Sequence, residues 1–224
     1  MNSTVGIVWA LAWKDLVVEY RNREIVVSIV IFSLLVLAIF TFAIELTNQS
    51  APIVGPGVLW AGIAFAGITG LNHSFSQERE RDTLEGLMLA PVSRDLIFLG
   101  KALGNFLFML LSVSVVLPVF TVLFNLNLLR LEILAITLLT TFGLSIVGTL
   151  FAAMTVKSRA REILLPMLFL PSAAPLLIAA VEATAGIVTG SSWLASQQWL
   201  GLAAAFDILF LVISVSLFGH VLED

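Results

Sequence analysis

Between Ile25 and Ile44 the chain runs through 20 residues without a charged side chain. As a helix such a run is about 30 Å long, the thickness of the hydrocarbon layer of a bilayer. Five further runs, apolar nearly throughout, are read at about 53–75, 97–124, 132–155, 163–182 and 200–221. Transmembrane strands alternate apolar and polar residues, and these runs do not, which excludes a β-barrel. Lipid satisfies no free N–H or C=O, so each run must close its backbone hydrogen bonds as a helix. Only 12% of the 224 residues are charged and 59% are hydrophobic, against roughly 25% charged in an average soluble domain. A soluble enzyme, a disordered chain and a nucleic-acid binder are excluded on that ground. The expectation is one all-α integral membrane domain over residues 1–224 with six transmembrane helices.

The few charges give the runs a direction. Lys14, Arg21 and Arg23 precede the first run; Arg79, Arg81, Arg94 and Lys101 lie around the gap between the second and third; Lys157, Arg159 and Arg161 lie between the fourth and fifth. These are ten of the 11 basic residues, and they share one side only if six spans place both termini in the cytoplasm. Arg130 is the exception. Residues 4–22 carry Val5, Val8, Trp9, Ala12, Leu16 and Tyr20 at helical spacing, which reads as an interfacial helix anchored by Trp9 and Trp13, or as a helix packed on the bundle. The charged segment ahead of the first run, and that run's length, read against a cleavable signal peptide. Cysteine is absent and histidine occurs twice, so a thiolate metal site and a redox dithiol are excluded. The fifth span holds Pro166, Pro171 and Pro175 and is expected to be kinked or broken, followed by an outer loop over 182–199.

Seven charges crowd into residues 78–94. Asp82 and Glu85 have capping-box spacing, Leu84, Leu87 and Met88 share one face of a short helix, and Pro91 should end it. Ser93 is placed to cap the next helix, with Asp95 in its first turn. A connection between two spans needs only a few residues, and this one spends about twenty on a capped element. An exposed apolar stripe on such a helix is a docking surface for a partner.

The string Glu78-Arg79-x-Arg81-x-Thr83-Leu84-Glu85-x-Leu87, with Pro91-Val92 and Gly100-Lys101, closely resembles the coupling segment of ABC-2-type transporter permeases. By that resemblance residues 78–91 form a coupling helix, and Glu78, Arg79, Arg81, Asp82, Thr83, Leu84, Glu85, Leu87, Met88 and Pro91 line the contact with a separate ABC ATPase subunit. The stretch from Phe142 through Gly148-Thr-Leu-Phe-Ala-Ala-Met154, Arg159-Ala-Arg161-Glu162 and Pro166 to Pro175-Leu176 is similar to the CcmB family, permease subunits of the cytochrome c maturation complex. That resemblance implies the ABC-2-type permease fold in the cytoplasmic (inner) membrane. It also implies a homodimer of the permease in an ATP-driven complex with a haem-handling membrane subunit and a haem chaperone. Haem is then at most a transient substrate, and this chain holds no stable cofactor. An exporter of a drug or lipid, a passive scaffold and a secondary carrier are the competing readings.

Gly100-Lys101 does not complete a phosphate-binding loop. Asp95 stands where the first glycine belongs and Ala102 follows the lysine, so ATP is expected on another chain and this subunit is expected to be non-catalytic. Within the spans, Asp207, His73 and Asn105 form the candidate polar site. A charge at mid-bilayer costs about 3 kcal/mol, so Asp207 should face the bundle or water. His73 and Asn105, with Gly62, Gly67 and Gly70, read first as packing residues.

Overall fold

The computed structural model describes residues 4–21, 50–80, 92–156, 158–191 and 193–221, with isolated positions between 27 and 42. Side chains at 18–21, 76–80, 193–195 and 220–221 fall outside that description. Six long helices account for nearly all of it: α1 (Thr4–Arg21), α2 (Ala51–Glu80), α3 (Arg94–Leu123), α4 (Leu131–Thr155), α5 (Arg161–Val188) and α6 (Trp193–Val221). There is no strand among the described residues. Helices α2 to α6 are each long and apolar enough to cross a bilayer. The run from Ile25 to Ile44, expected as the first span, lies mostly outside the described residues.

Helix α4 is the centre, packed against α2, α3, α5 and α6. From Gly143 to Leu150 every residue is buried. Its hydroxyls are the reason so polar a helix tolerates enclosure. Thr137 donates to the Ile133 carbonyl at 2.8 Å, Thr141 to Thr137 at 2.6 Å, Thr149 to Ser145 at 2.6 Å and Thr155 to Phe151 at 2.8 Å. Each proton is taken up one turn back along the same helix, so little of that polarity faces a neighbour.

Close approach comes from glycine. A Cβ on Gly148 would strike Leu71 of α2, and one on Gly67 would strike Met109 of α3. One on Gly70 would lie 2.5 Å from the Phe108 ring. Small residues at helix crossings let backbones approach where no hydrophobic force separates protein from lipid. The packing role expected for Gly67 and Gly70 is what the structure shows, whereas Gly62, expected with them, has nothing within 4 Å of its Cβ position.

The sequence reading leaves α5 kinked or broken, and the structure removes the second alternative: one helix runs through Pro166, Pro171 and Pro175. It also extends to Val188, so the long outer loop expected over 182–199 shrinks to a turn. That turn is a Schellman motif: Ser191 N–H donates to Gly186 O at 2.8 Å and Gly190 N–H to Ile187 O at 3.2 Å, with Gly190 at φ 83°. The far end of α5 is held by the Trp60 indole, which donates to Thr184 Oγ1 at 3.0 Å, and by Arg130, which donates to the Ile187 carbonyl at 3.3 Å. The segment Gly186–Ser191, read as loop for its glycines and serines, is therefore helix end and cap.

The remaining ends gather opposite. The end of α2, the start of α3, the α4–α5 turn and the end of α6 meet at one pole, called here the basal end. Arg94, Lys101, Arg159 and Arg161 are all there, whereas Arg130 is at the other pole.

Candidate functional site

Of the expected docking residues, Glu78 and Arg79 lie on the last turn of α2. Arg81, Asp82, Thr83, Leu84, Glu85, Leu87, Met88 and Pro91 lie outside the described residues. What the structure supplies is the bracket that carries them, the end of α2 and the beginning of α3.

The α3 side is fastened to α6. Arg94 Nη1 donates to the Gly219 carbonyl at 2.7 Å, and one turn on the Phe98 ring packs on Phe218 with centroids 5.1 Å apart. A guanidinium on the terminal carbonyls of another helix meets the negative end of its dipole. Ser93 has the extended backbone of an N-cap, and its carbonyl accepts from the Leu96 and Ile97 amides. Its hydroxyl makes no capping bond, contrary to the expectation. Asp95 is in the first turn as read, where its charge suits the helix dipole.

Two turns into α3 the sequence reading missed a residue that joins three helices. Lys101 is only 2% exposed, with its ammonium 3.7 Å from Asp15 of α1 and 5.0 Å from the centre of the Phe75 ring of α2. A charge removed from water needs such compensation, here a carboxylate from one helix and an aromatic face from another. Asp15 also pairs with Lys14 at 3.1 Å. The approach of α1 is set by Gly100 and Gly104, which present a small-xxx-small face. A Cβ on Gly100 would lie 2.7 Å from Leu11 Cβ, and one on Gly104 would lie 3.2 Å from Asp15 Cβ and 3.5 Å from the Ala12 backbone. The face of α1 on α3 is thus Leu11, Ala12 and Asp15, rotated from the apolar stripe read in the sequence. Trp9 and Trp13 stack on each other, centroids 6.2 Å apart, and remain half exposed. The sequence did hold a signal, the Gly-x-x-x-Gly spacing around a lysine, but it was read only as part of a motif.

Of the three intramembrane polar residues, Asn105 and Asp207 do not converge. Asn105 Nδ2 donates to Thr149 Oγ1 at 2.8 Å, tying α3 to α4 as a packing residue does. His73 is half-buried on α2, near Phe75. Asp207 is buried on α6, facing the bundle, where it fills the notch left by Gly143 beside Leu176. Neither of its carboxylate oxygens has a hydrogen-bond partner. Thr149 and Gly143 are six residues apart on α4, about 9 Å of rise, so Asn105 and Asp207 stand at different levels. No group of three potential metal ligands occurs among the described residues. An apolar groove of about 750 Å³ lies between α1 and α3, bounded by Trp13, Leu16, Val17, Leu107 and Leu110, with Ser114 its one polar side chain among the described residues.

A family model described as "CcmB protein" matches residues 6–223. Heme exporter protein B of Bradyrhizobium diazoefficiens is 28% identical over 209 residues, covering 93% of this chain and 90% of that protein. Heme exporter protein B of Pseudomonas aeruginosa is 29% identical over 190 residues, 82% of this chain and 85% of that protein. The protein of that name from Rhodobacter capsulatus is 31% identical over 152 residues, 67% of this chain and 70% of that protein.

Proposed function

The chain belongs to the CcmB protein family, and from that premise we propose that it is the permease subunit of an ATP-driven complex serving haem export for cytochrome c maturation. It is a multi-pass membrane protein, and the membrane assigned to it is the cytoplasmic one. The run Ile25–Ile44 serves as a first span, giving six, with both termini and the basal end in the cytoplasm. The gathering of Arg94, Lys101, Arg159 and Arg161 at that pole supports this orientation.

Residues 78–91 dock on a separate ATPase chain, and closure of the ATPase displaces them. The observation that carries this reading is the fastening of their bracket. A load arriving at the start of α3 meets Arg94 on the end of α6 and Lys101 against α1 and α2, so it moves helices rather than a loose loop. The chain itself is assigned no catalysis: Gly100-Lys101 is packed mid-helix beneath α1, a place where no phosphate can be cradled. ATP is bound by the partner. Haem passes this subunit transiently or is held by a haem-handling membrane subunit that delivers it to a haem chaperone. A second copy of the permease completes the membrane part.

Arg81→Glu or Leu84→Asp is expected to abolish copurification of the ATPase while leaving membrane insertion intact. Unchanged copurification would overturn the docking assignment. Holocytochrome c yield in a deletion strain separates haem delivery from export of a drug or lipid, and a hydrolysis-dead ATPase partner separates both from a passive scaffold.

A further inference from the structure

We infer that α1 and the first half of α3 form a single lever locked by the Lys101–Asp15 pair, and that Lys101 is the positioning residue through which displacement of the docking segment reaches α1. The inference rests on the docking reading above and adds to it which helix travels with the load.

Four observations converge on one level of the bundle. Gly100 and Gly104 bring the backbones of α3 and α1 together, and Ala12, the small residue facing them, has no exposed surface. Leu11 fills the notch at Gly100 and Asp15 the notch at Gly104, so sliding either helix along the other drives a side chain out of its seat. Lys101 lies between the two notches in sequence, with its ammonium directed at Asp15. The same ammonium faces Phe75, which stands on α2 five residues before the helix ends at Glu80. Both ends of the docking segment therefore converge on this one lysine: the α2 end through an aromatic face, the α3 end through the helix that carries it. Packed interfaces switch between discrete arrangements rather than deforming smoothly, and an ion pair set beside interlocked notches favours movement as one body.

The absence of cysteine makes a clean test possible. In L11C/G100C the paired Cβ positions need to part by only about 1 Å to reach disulfide geometry, and removing Leu11 clears the space that a side chain at position 100 requires. The oxidised and reduced forms of this variant, in the assembled complex, are expected to support equal holocytochrome c yield. A yield lost on oxidation and regained on reduction would show that α1 and α3 move against each other, overturning the lever. In parallel, Lys101→Met is expected to leave ATPase copurification and ATP hydrolysis in place while lowering holocytochrome c yield about tenfold. The swap D15K/K101D should recover most of it. Full yield from Lys101→Met, or no recovery in a swap present at normal level in the membrane, would remove Lys101 from the transmission. Copurification that ignores Leu84→Asp would instead defeat the docking reading itself, whatever the cross-link does.

Discussion

Lys101 and Asp207 are both ionisable side chains placed within spans, 2% and 3% exposed, and they are held in opposite ways. Lys101 has a carboxylate from α1 and an aromatic face from α2. Asp207 has no hydrogen-bond partner for either oxygen and leans on a glycine. The first arrangement ties three helices at the basal end; the second ties none and only occupies space between α4 and α6. A buried ionisable group thus informs on mechanics through its partners, not through its burial. The compensated one marks a joint, and the uncompensated one marks a crossing where steric fit alone sets the approach.

The sharpest way to break this contrast is at Gly143. Gly143→Leu drives a side chain into Asp207 and Leu176, and overpacking of this kind costs about 3 kcal/mol. The midpoint of thermal unfolding in detergent should fall well below that of Gly57→Leu, since Gly57 has nothing within 4 Å. Equal losses at both glycines would mean the crossing is not sterically set.

Next in size is an asymmetry within the joint. Asp15→Ala deprives a buried ammonium of its carboxylate and is expected to cost about 3 kcal/mol, because breaking a buried pair leaves the other charge uncompensated. Lys101→Met removes the charge that needed compensation, and Asp15 keeps Lys14 at 3.1 Å, so about 1 kcal/mol is expected. The same thermal measurement ranks the two, and a reversed order would show that Asp15 is not what stabilises Lys101. The smallest effect has the opposite sign. Asp207→Asn keeps the shape, removes a buried ionisable group and breaks no hydrogen bond, so a gain of about 1 kcal/mol is expected. A loss there would reveal a partner and erase the contrast with Lys101.

Most of the fold was legible in the sequence because a bilayer imposes length and composition together. The runs at 53–75, 97–124 and 132–155 correspond to α2, α3 and α4 within a few residues. The C-terminal end of α5 and the start of α6 were not legible, because Gly186, Gly190 and Ser191 serve a helix cap and Thr184 and Ile187 reach the core, and composition does not separate a cap from a loop. The inward orientation of Asp207 followed from the cost of exposing it to lipid. Its place against Gly143 did not, since a notch is created by two helices and belongs to neither sequence segment alone. Lys101 was overlooked for a related reason: a lysine in a span reads as a charge at the boundary until the helix that covers it is known. The ten docking residues were named by resemblance, and eight of them lie outside the described residues.

The continuity of α5 has a mechanical meaning. Pro166, Pro171 and Pro175 supply no amide donors, so the carbonyls of residues 162, 167 and 171 lack their usual bond across one turn of the helix. Pro171 and Pro175 face outward, as do Glu162 and Met167, so the missing bonds cluster on the outer side. Along that strip α5 has less flexural stiffness than a fully bonded helix, while α4, buried throughout from Gly143 to Leu150 and packed against four helices, cannot bend there without disturbing them. When the bundle is loaded from its basal end, the strain will concentrate in α5, the compliant member of a frame built around a stiff post.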